Sequence, residues 1–156
     1  LDYCSQLWSP GDAKTINILE DIQRKFTSRI AGMKDKDYWE RLSSLHLYSQ
    51  ERRRERYAII FIWKCAVGLV DGYTLTFVNN PRRGRLCVVR AVNQNTQTQV
   101  KRAIEASLAV KGARIFNLLP RDIRDTALNP NKSVIPLKRK LDQFLLAIPD
   151  QPTVQH

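Results

Sequence analysis

Acidic residues, histidine and cysteine are all scarce in this chain of 156 residues. Histidine is the side chain that titrates near neutral pH and most often serves as a general base. Only His46 and His156 are present. His156 is the last residue. His46 stands between Leu45 and Leu47 with no nucleophile or orienting carboxylate in a recognisable motif, so it reads as structural. The three cysteines, Cys4, Cys65 and Cys87, are odd in number, far apart and without a CxxC pair. They signal neither a disulfide framework nor a zinc site, and their simplest reading is reduced thiols in a reducing, intracellular compartment. No Walker loop, GxGxxG or GxSxG occurs. The longest apolar run, residues 57–63, closes at Lys64 and is far short of the roughly 20 residues that cross a bilayer, so no membrane partner is expected. Repeats and low-complexity segments are also lacking.

Carboxylates occur as neighbours at Glu20 and Asp21, Asp35 and Asp37, Glu51 and Glu55, and Asp122 and Asp125. Two-metal phosphoryl transfer would need such pairs to converge on cations. Glu51 and Glu55 are interleaved with arginines at helical spacing, as are Asp122 and Asp125, and both sets read as local ion pairs. Asp12 and Asp37 stand where helix caps are wanted. The expectation is a chain with no catalytic residue, no metal site and no cofactor of its own.

What is abundant is positive charge. Lys and Arg number 26 against 15 Asp and Glu, a formal net charge of +11. Such an excess favours a polyanionic partner, with nucleic acid foremost, because clustered Lys and Arg release condensed counterions on binding. The hydrophobic fraction of 43% is too high for a disordered tail. A chain of this length can bury roughly 70% of its unfolded surface, enough for a real core.

The pattern of apolar residues is mostly helical. Residues 12–31 form an amphipathic helix capped by Asp12 and stopped by Gly32, with Ile16, Ile18, Leu19, Ile22, Phe26 and Ile30 on the side expected to face a core. A short helix spans 37–45. Ser49 caps a third, whose first half is "QERRRER" and whose second half, "YAIIFIWKCAVG", is apolar all round and expected to be buried; its β-branched content makes a strand the competing reading there. Between 73 and 92, "YTLTFV" and "LCVVRAV" read as short strands joined by the basic turn "NNPRRGR". Helices follow at 100–107 and 112–119, the latter stopped by Pro120, then a turn of helix in "RDIRD" and a loop in "ALNPNKS". The last helix covers 137–147 with Leu137, Leu141, Phe144, Leu145 and Ile148 inward. The fold expected is mainly α, a compact helical domain over 1–148 with a small β-hairpin, and a flexible tail at 149–156.

Three basic clusters stand out. Arg52, Arg53, Arg54 and Arg56 occupy the first turns of the third helix and point around most of it. Arg82, Arg83 and Arg85 sit on a Pro/Gly turn, a shape suited to phosphates. Lys138, Arg139 and Lys140 lie on the outer side of the last helix and read as a solvated face. Arg suits bidentate phosphate contact, so the two Arg clusters are the candidate nucleic-acid-binding residues, weighed against a merely solvated surface.

Five segments in succession carry a resemblance: "YCSQLWSP", "INILEDIQRKFTSRI", "YWERLSSLHLYSQERRRERYAIIFIWK", "GARIFNLLPRDIR" and "LKRKLDQFLLAIPDQP". The matching residues are Tyr3, Cys4 and Trp8; Leu19, Glu20, Gln23 and Arg24; Leu45, Leu47, Ser49, Arg53 and Arg54; and Phe116, Asn117, Leu119 and Pro120. In this order they resemble the part of LINE-type (non-LTR) retrotransposon polyproteins that follows the reverse transcriptase palm. The resemblance implies that the parent is an RNA-directed DNA polymerase, usually with an upstream endonuclease, acting in nucleus and cytoplasm. It implies thumb-proximal and post-thumb helices that grip template and primer, with RNA, DNA or RNA–DNA hybrid and the upstream polymerase domain of the same polypeptide as partners. The Phe/Tyr-x-Asp-Asp element and other palm carboxylates of that family are absent here. The Mg expected for the parent polymerase would therefore be bound elsewhere, and no catalytic residue carries over. Leu1 in place of Met fits a piece of a longer chain. Two other readings stand beside this one: a protein-interaction segment that docks on the polymerase domain, and a non-functional remnant of the element.

Overall fold

The structure, a computed structural model, describes residues 13–73, 75–89, 91, 93, 95–129 and 131–150. The fold is mainly α with a small β-hairpin. In chain order come α1 (Ala13–Thr27), α2 (Tyr38–Ser44), α3 (Gln50–Ala66), β1 (Phe77–Asn80), β2 (Gly84–Cys87), α4 (Thr98–Ala106), a π-turn (Leu108–Gly112), α5 (Ala113–Leu118), α6 (Arg121–Arg124), a 3-10 turn (Asp125–Leu128) and α7 (Val134–Leu146). The described residues group into two compact units, one within 1–54 and 146–156 and the other 55–145, and the span 1–148 is distributed over both.

In the first unit the interior is polar. Glu20, Gln23, Thr27, Arg41, Ser49, Gln50 and Arg54 are buried there, and among the described residues of this unit the buried hydrophobic ones are Tyr38 and Leu42. The Tyr38 hydroxyl donates to Glu20, and the Gln50 amide N–H donates to the other Glu20 oxygen at 2.9 Å. Gln23 Nε2 donates to the Tyr48 carbonyl at 2.9 Å and to the Tyr38 hydroxyl at 3.3 Å, while its Oε1 accepts from Gln50 Nε2. Arg41 Nε donates to Thr27 Oγ1 at 3.3 Å. Burial and the Glu20 carboxylate together push the Tyr38 hydroxyl far above its ordinary range. It therefore stays protonated and remains a donor at any ordinary pH.

This turns α1 about its axis from the expected orientation and buries only part of the expected face, with Ile16, Leu19 and Ile30 half-buried. Ile18, Ile22 and Phe26 are 54%, 53% and 68% exposed, while Glu20, Gln23 and Thr27 line the interior. Periodicity identifies an apolar stripe, but the groups facing α1 are hydroxyls, amides and a helix N-terminus. The buried side chains of Glu20, Gln23, Tyr38 and Gln50 bond to one another and to the chain there, which offsets their desolvation. The helix also ends at Thr27 rather than at 31. Thr27 and Ser28 hydroxyls donate back to the Arg24 and Lys25 carbonyls, and i→i+3 turns then carry the chain to Gly32. The expected cap, Asp12, lies outside the described residues.

Helix α2 opens with a capping box between Asp37 and Glu40. It closes with Leu47 N–H bonded to the Leu42 carbonyl and His46 N–H to that of Ser43. This arrangement needs a left-handed residue, and His46 supplies it at φ 52°. Helix α3 has three acceptors at its N-terminus. Ser49 Oγ accepts from Arg52 N–H at 3.0 Å, Glu20 accepts from Gln50 N–H, and Asp150 accepts from Ser49 N–H and Oγ–H, each at 2.7 Å. These carboxylates favour the positive end of the helix dipole despite the Arg-rich first turns. Pro149 and Asp150, at the start of the expected tail, are thus engaged by hydrogen bonds; residues 151–156 lie outside the described set.

The second unit has an apolar core. Ile59, Ile60, Ile62 and Trp63 from α3 and Val67 just after it are buried, as are Val110, Ala113, Phe116, Leu119, Ile123, Leu137, Leu141 and Leu145. The apolar half of α3 is helical, not a strand. Trp63 Nε1 donates to Thr126 Oγ1 at 2.9 Å. Helix α7 begins at Val134, three residues before the expected start, because Pro136 falls in the first turn, where its missing N–H costs nothing. Ile148, expected inward, is exposed just past the end of this helix.

Candidate nucleic-acid interface

The hairpin pairs Phe77 with Cys87 and Asn80 with Gly84, leaving a three-residue loop of Pro81, Arg82 and Arg83. The strands therefore lie nearer the turn than the sequence pattern placed them. Asn80 Oδ1 accepts from the amide N–H groups of Arg82 and Arg83, both at 2.9 Å, and folds the loop back on itself. Gly84 takes φ +76°, and a Cβ there would lie 2.5 Å from an Asp125 oxygen and 2.8 Å from Arg121 Cγ. Only glycine fits that position.

Three residues of the segment 117–125 brace the hairpin. Asn117 Oδ1 accepts from Cys87 N–H at 2.9 Å, and its Nδ2 donates to the Cys87 carbonyl at 2.8 Å. Its amide thus occupies the place of a neighbouring strand. The buried Arg124 donates from Nε to the Leu119 carbonyl at 2.9 Å, from Nη1 to that of Arg85 at 2.5 Å and from Nη2 to that of Arg83 at 2.6 Å. One planar guanidinium thereby fixes the second strand and the turn together. Asp125 accepts from Arg85 N–H at 2.9 Å and from Arg121 Nε at 3.0 Å. The Arg85 amide bond and the Arg121 guanidinium hold its carboxyl below the usual range despite partial burial. Phe77 adds an apolar footing, with its edge against Phe116 at 6.2 Å.

The braced loop presents Arg82 and Arg83 to solvent. Among the described residues no carboxylate pairs with either side chain. Arg85 lies half-buried, its guanidinium 5.5 Å from the Phe77 ring centroid and its Nη1 3.0 Å from Asn79 Oδ1. Arg124 feels these neighbours: burial lowers its pKa, Asp125 opposes that, and Arg83 and Arg121 lower it further. On the same unit, Lys140 donates to the Asp122 carbonyl at 3.1 Å, while Lys138 and Arg139 are exposed.

The other Arg cluster is engaged internally. Arg52 donates to the Ile148 and Pro149 carbonyls at 2.9 and 2.8 Å and pairs with Asp150 at 3.4 Å. Arg54 is buried and Arg53 half-buried. Arg56 forms a bidentate pair with Asp142 at 2.6 and 2.8 Å. The seven candidate arginines are divided between the two units. Arg52, Arg53 and Arg54 belong to the first unit, and Arg56, Arg82, Arg83 and Arg85 to the second.

Among the described residues no three His, Cys, Asp or Glu side chains gather to hold a metal ion, and no helix is long and apolar enough to cross a membrane. His46 is exposed. Burial raises the Cys65 thiol and pushes Cys87 up to about 11, so both stay protonated near neutral pH. Cys4 and His156 lie outside the described residues.

Sequence reasoning identified the loop arginines but not their supports. Arg121, Arg124, Asp122 and Asp125 looked like one set of local ion pairs. Only Arg121 with Asp125 is such a pair; Arg124 turns to carbonyls and Asp122 to Lys140. The available signal was Phe116-Asn117-x-Leu119-Pro120, whose members prove to be two core residues, a strand-mimicking amide and a helix-opening proline. Comparison with known protein families, curated proteins and solved structures returns no match.

Proposed function

We propose that this chain grips nucleic acid by its sugar-phosphate backbone, as a C-terminal, post-palm segment of a LINE-type reverse transcriptase would. The observation that carries the reading is the pair of solvent-facing arginines, Arg82 and Arg83, on a turn braced by Asn117, Arg124 and Asp125. A braced turn holds its cations in place before the ligand arrives, so less conformational entropy is lost on binding. The formal charge of +11 supplies the long-range attraction. Contact is to phosphates, which position a ligand without reading its sequence. In such a polymerase the Mg-dependent chemistry belongs to the palm, and this segment contributes grip on RNA, DNA or their hybrid.

Binding of the full chain to an RNA–DNA hybrid, followed by fluorescence anisotropy, tests this. The affinity is expected to fall steeply with salt, and replacing Arg82, Arg83 and Arg85 by Ala to flatten the slope; an unchanged slope would remove the hairpin from the site. A second reading, docking on the upstream polymerase domain, is favoured by the outward Ile18, Ile22 and Phe26 of α1. A salt-resistant stoichiometric complex with that domain, without affinity for nucleic acid, would support it instead.

A further inference from the structure

Helix α6 lies directly against the hairpin turn. The stem of Arg121 packs on Gly84, whose missing Cβ would stand 2.8 Å from Arg121 Cγ. Its Nε is held by Asp125, the same carboxylate that receives the Arg85 amide. The side chain is nevertheless 56% exposed, and its two Nη groups have no partner among the described residues. Arg121 is thus placed beside Arg82 and Arg83 by the contact that shapes the turn, although 36 residues of chain separate it from Arg85. Asp125 neutralises part of this cluster, and it is already shared between two donors.

The surroundings also discriminate between forms of nucleic acid. Unpaired bases are held by stacking on bare aromatic faces. Here Phe116 is fully buried, Phe77 lies edge-on to Phe116 with the Arg85 guanidinium over its face, and Tyr73 packs edge-to-face with Phe61 at 5.3 Å. No described ring at the turn is open to a base. A ligand whose bases are already stacked within a helix requires no such platform and offers a dense array of phosphates.

We infer that the polyanion site extends from the hairpin turn onto α6, with Arg121 as a third phosphate-contacting residue beside Arg82 and Arg83, and that its ligand is the backbone of a double helix rather than a single strand. This rests on the nucleic-acid reading above. Arg121 donates through its Nη groups while its Nε stays on Asp125, so the turn is not disturbed by binding.

The test uses the full chain with an RNA–DNA hybrid, a DNA duplex and the separate single strands, titrated over a range of salt. The duplexes are expected to bind about fourfold tighter than the single strands at roughly 0.1 M salt, since each of the three phosphate contacts adds about 0.9 to the salt slope on a duplex against about 0.7 on a single strand. Arg121→Ala is expected to lower the duplex slope by about 1, and Arg121→Lys to restore it, with thermal unfolding little changed; the double variant Arg82→Ala/Arg83→Ala lowers it by about 2. A slope reduced by the double variant but not by Arg121→Ala would overturn the extension and leave the hairpin reading standing. Slopes unmoved by any variant would overturn both. Single strands binding as tightly as duplexes would overturn the double-helical assignment.

Discussion

The two arginine clusters look alike in sequence and are opposite in structure. At the start of α3, Arg52 is tied to the segment 148–150, Arg54 is buried and Arg56 is locked to Asp142. On the hairpin, Arg82 and Arg83 face solvent, and the internal hydrogen bonding is made by neighbours, with Arg124 taking the carbonyls and Asp125 the amide. In the first case arginines hold the fold; in the second the fold holds arginines. The density of positive charge in a segment therefore says little about its availability. What decides is whether an acceptor lies opposite.

The largest expected effect bears on the support of the outward cluster. Phe116 is fully buried beneath Phe77, and Phe116→Ala should cost about 3–5 kcal/mol in denaturant unfolding. It should also loosen the hairpin, seen as faster hydrogen exchange at Cys87; protection there as in the parent chain would separate the turn from its core. Next comes the cap of the inward cluster. Glu20→Ala leaves the Tyr38 hydroxyl and the Gln50 amide buried without an acceptor, a loss of at least about 2 kcal/mol at roughly 1–3 per orphaned group. A loss below about 1 kcal/mol would mean that the polar interior contributes little. Arg56→Ala breaks a partly exposed bidentate pair, so about 1 kcal/mol is expected, with no change in the salt dependence of nucleic-acid binding. A flattened salt slope would place Arg56 in the site. The smallest effect is expected where hydrophobicity alone suggests the largest: Phe26→Ser on α1 should change stability by no more than about 0.5 kcal/mol, because the side chain is 68% exposed. A cost above about 2 kcal/mol would show that this ring is covered.

Local chemistry was legible in the sequence. The Asp37 cap, the Ser49 cap, the apolar half of α3 and the i, i+4, i+8 row of Leu137, Leu141 and Leu145 all act as their spacing implies. The hairpin was legible too, with its strands displaced toward the turn by Gly84 and the Asn80 side chain. What was not legible depends on partners far along the chain. Asp142 lies 86 residues from Arg56 and Asp150 101 residues from Ser49, and no pattern within α3 announces either. The rotated burial of α1 belongs to the same class. Its stripe of isoleucines is plain, but which face is buried depends on the hydroxyl of Tyr38 and the amides of Gln50, which the stripe does not encode. In the candidate site, Arg82 and Arg83 were visible as charge on a turn, whereas Arg121 and Arg124 were hidden inside what read as an ordinary run of helical ion pairs.

The division of labour between the clusters is tested most directly by one paired measurement on the full chain: the salt dependence of hybrid-duplex affinity for Arg82→Ala/Arg83→Ala set against Arg52→Ala/Arg56→Ala, with an unfolding curve for each. The hairpin variant should lose about 2 from the slope and keep its stability within about 0.5 kcal/mol. The α3 variant should keep its slope and lose stability. The reverse pattern, a flattened slope for the α3 variant and an unchanged one for the hairpin variant, would contradict the account.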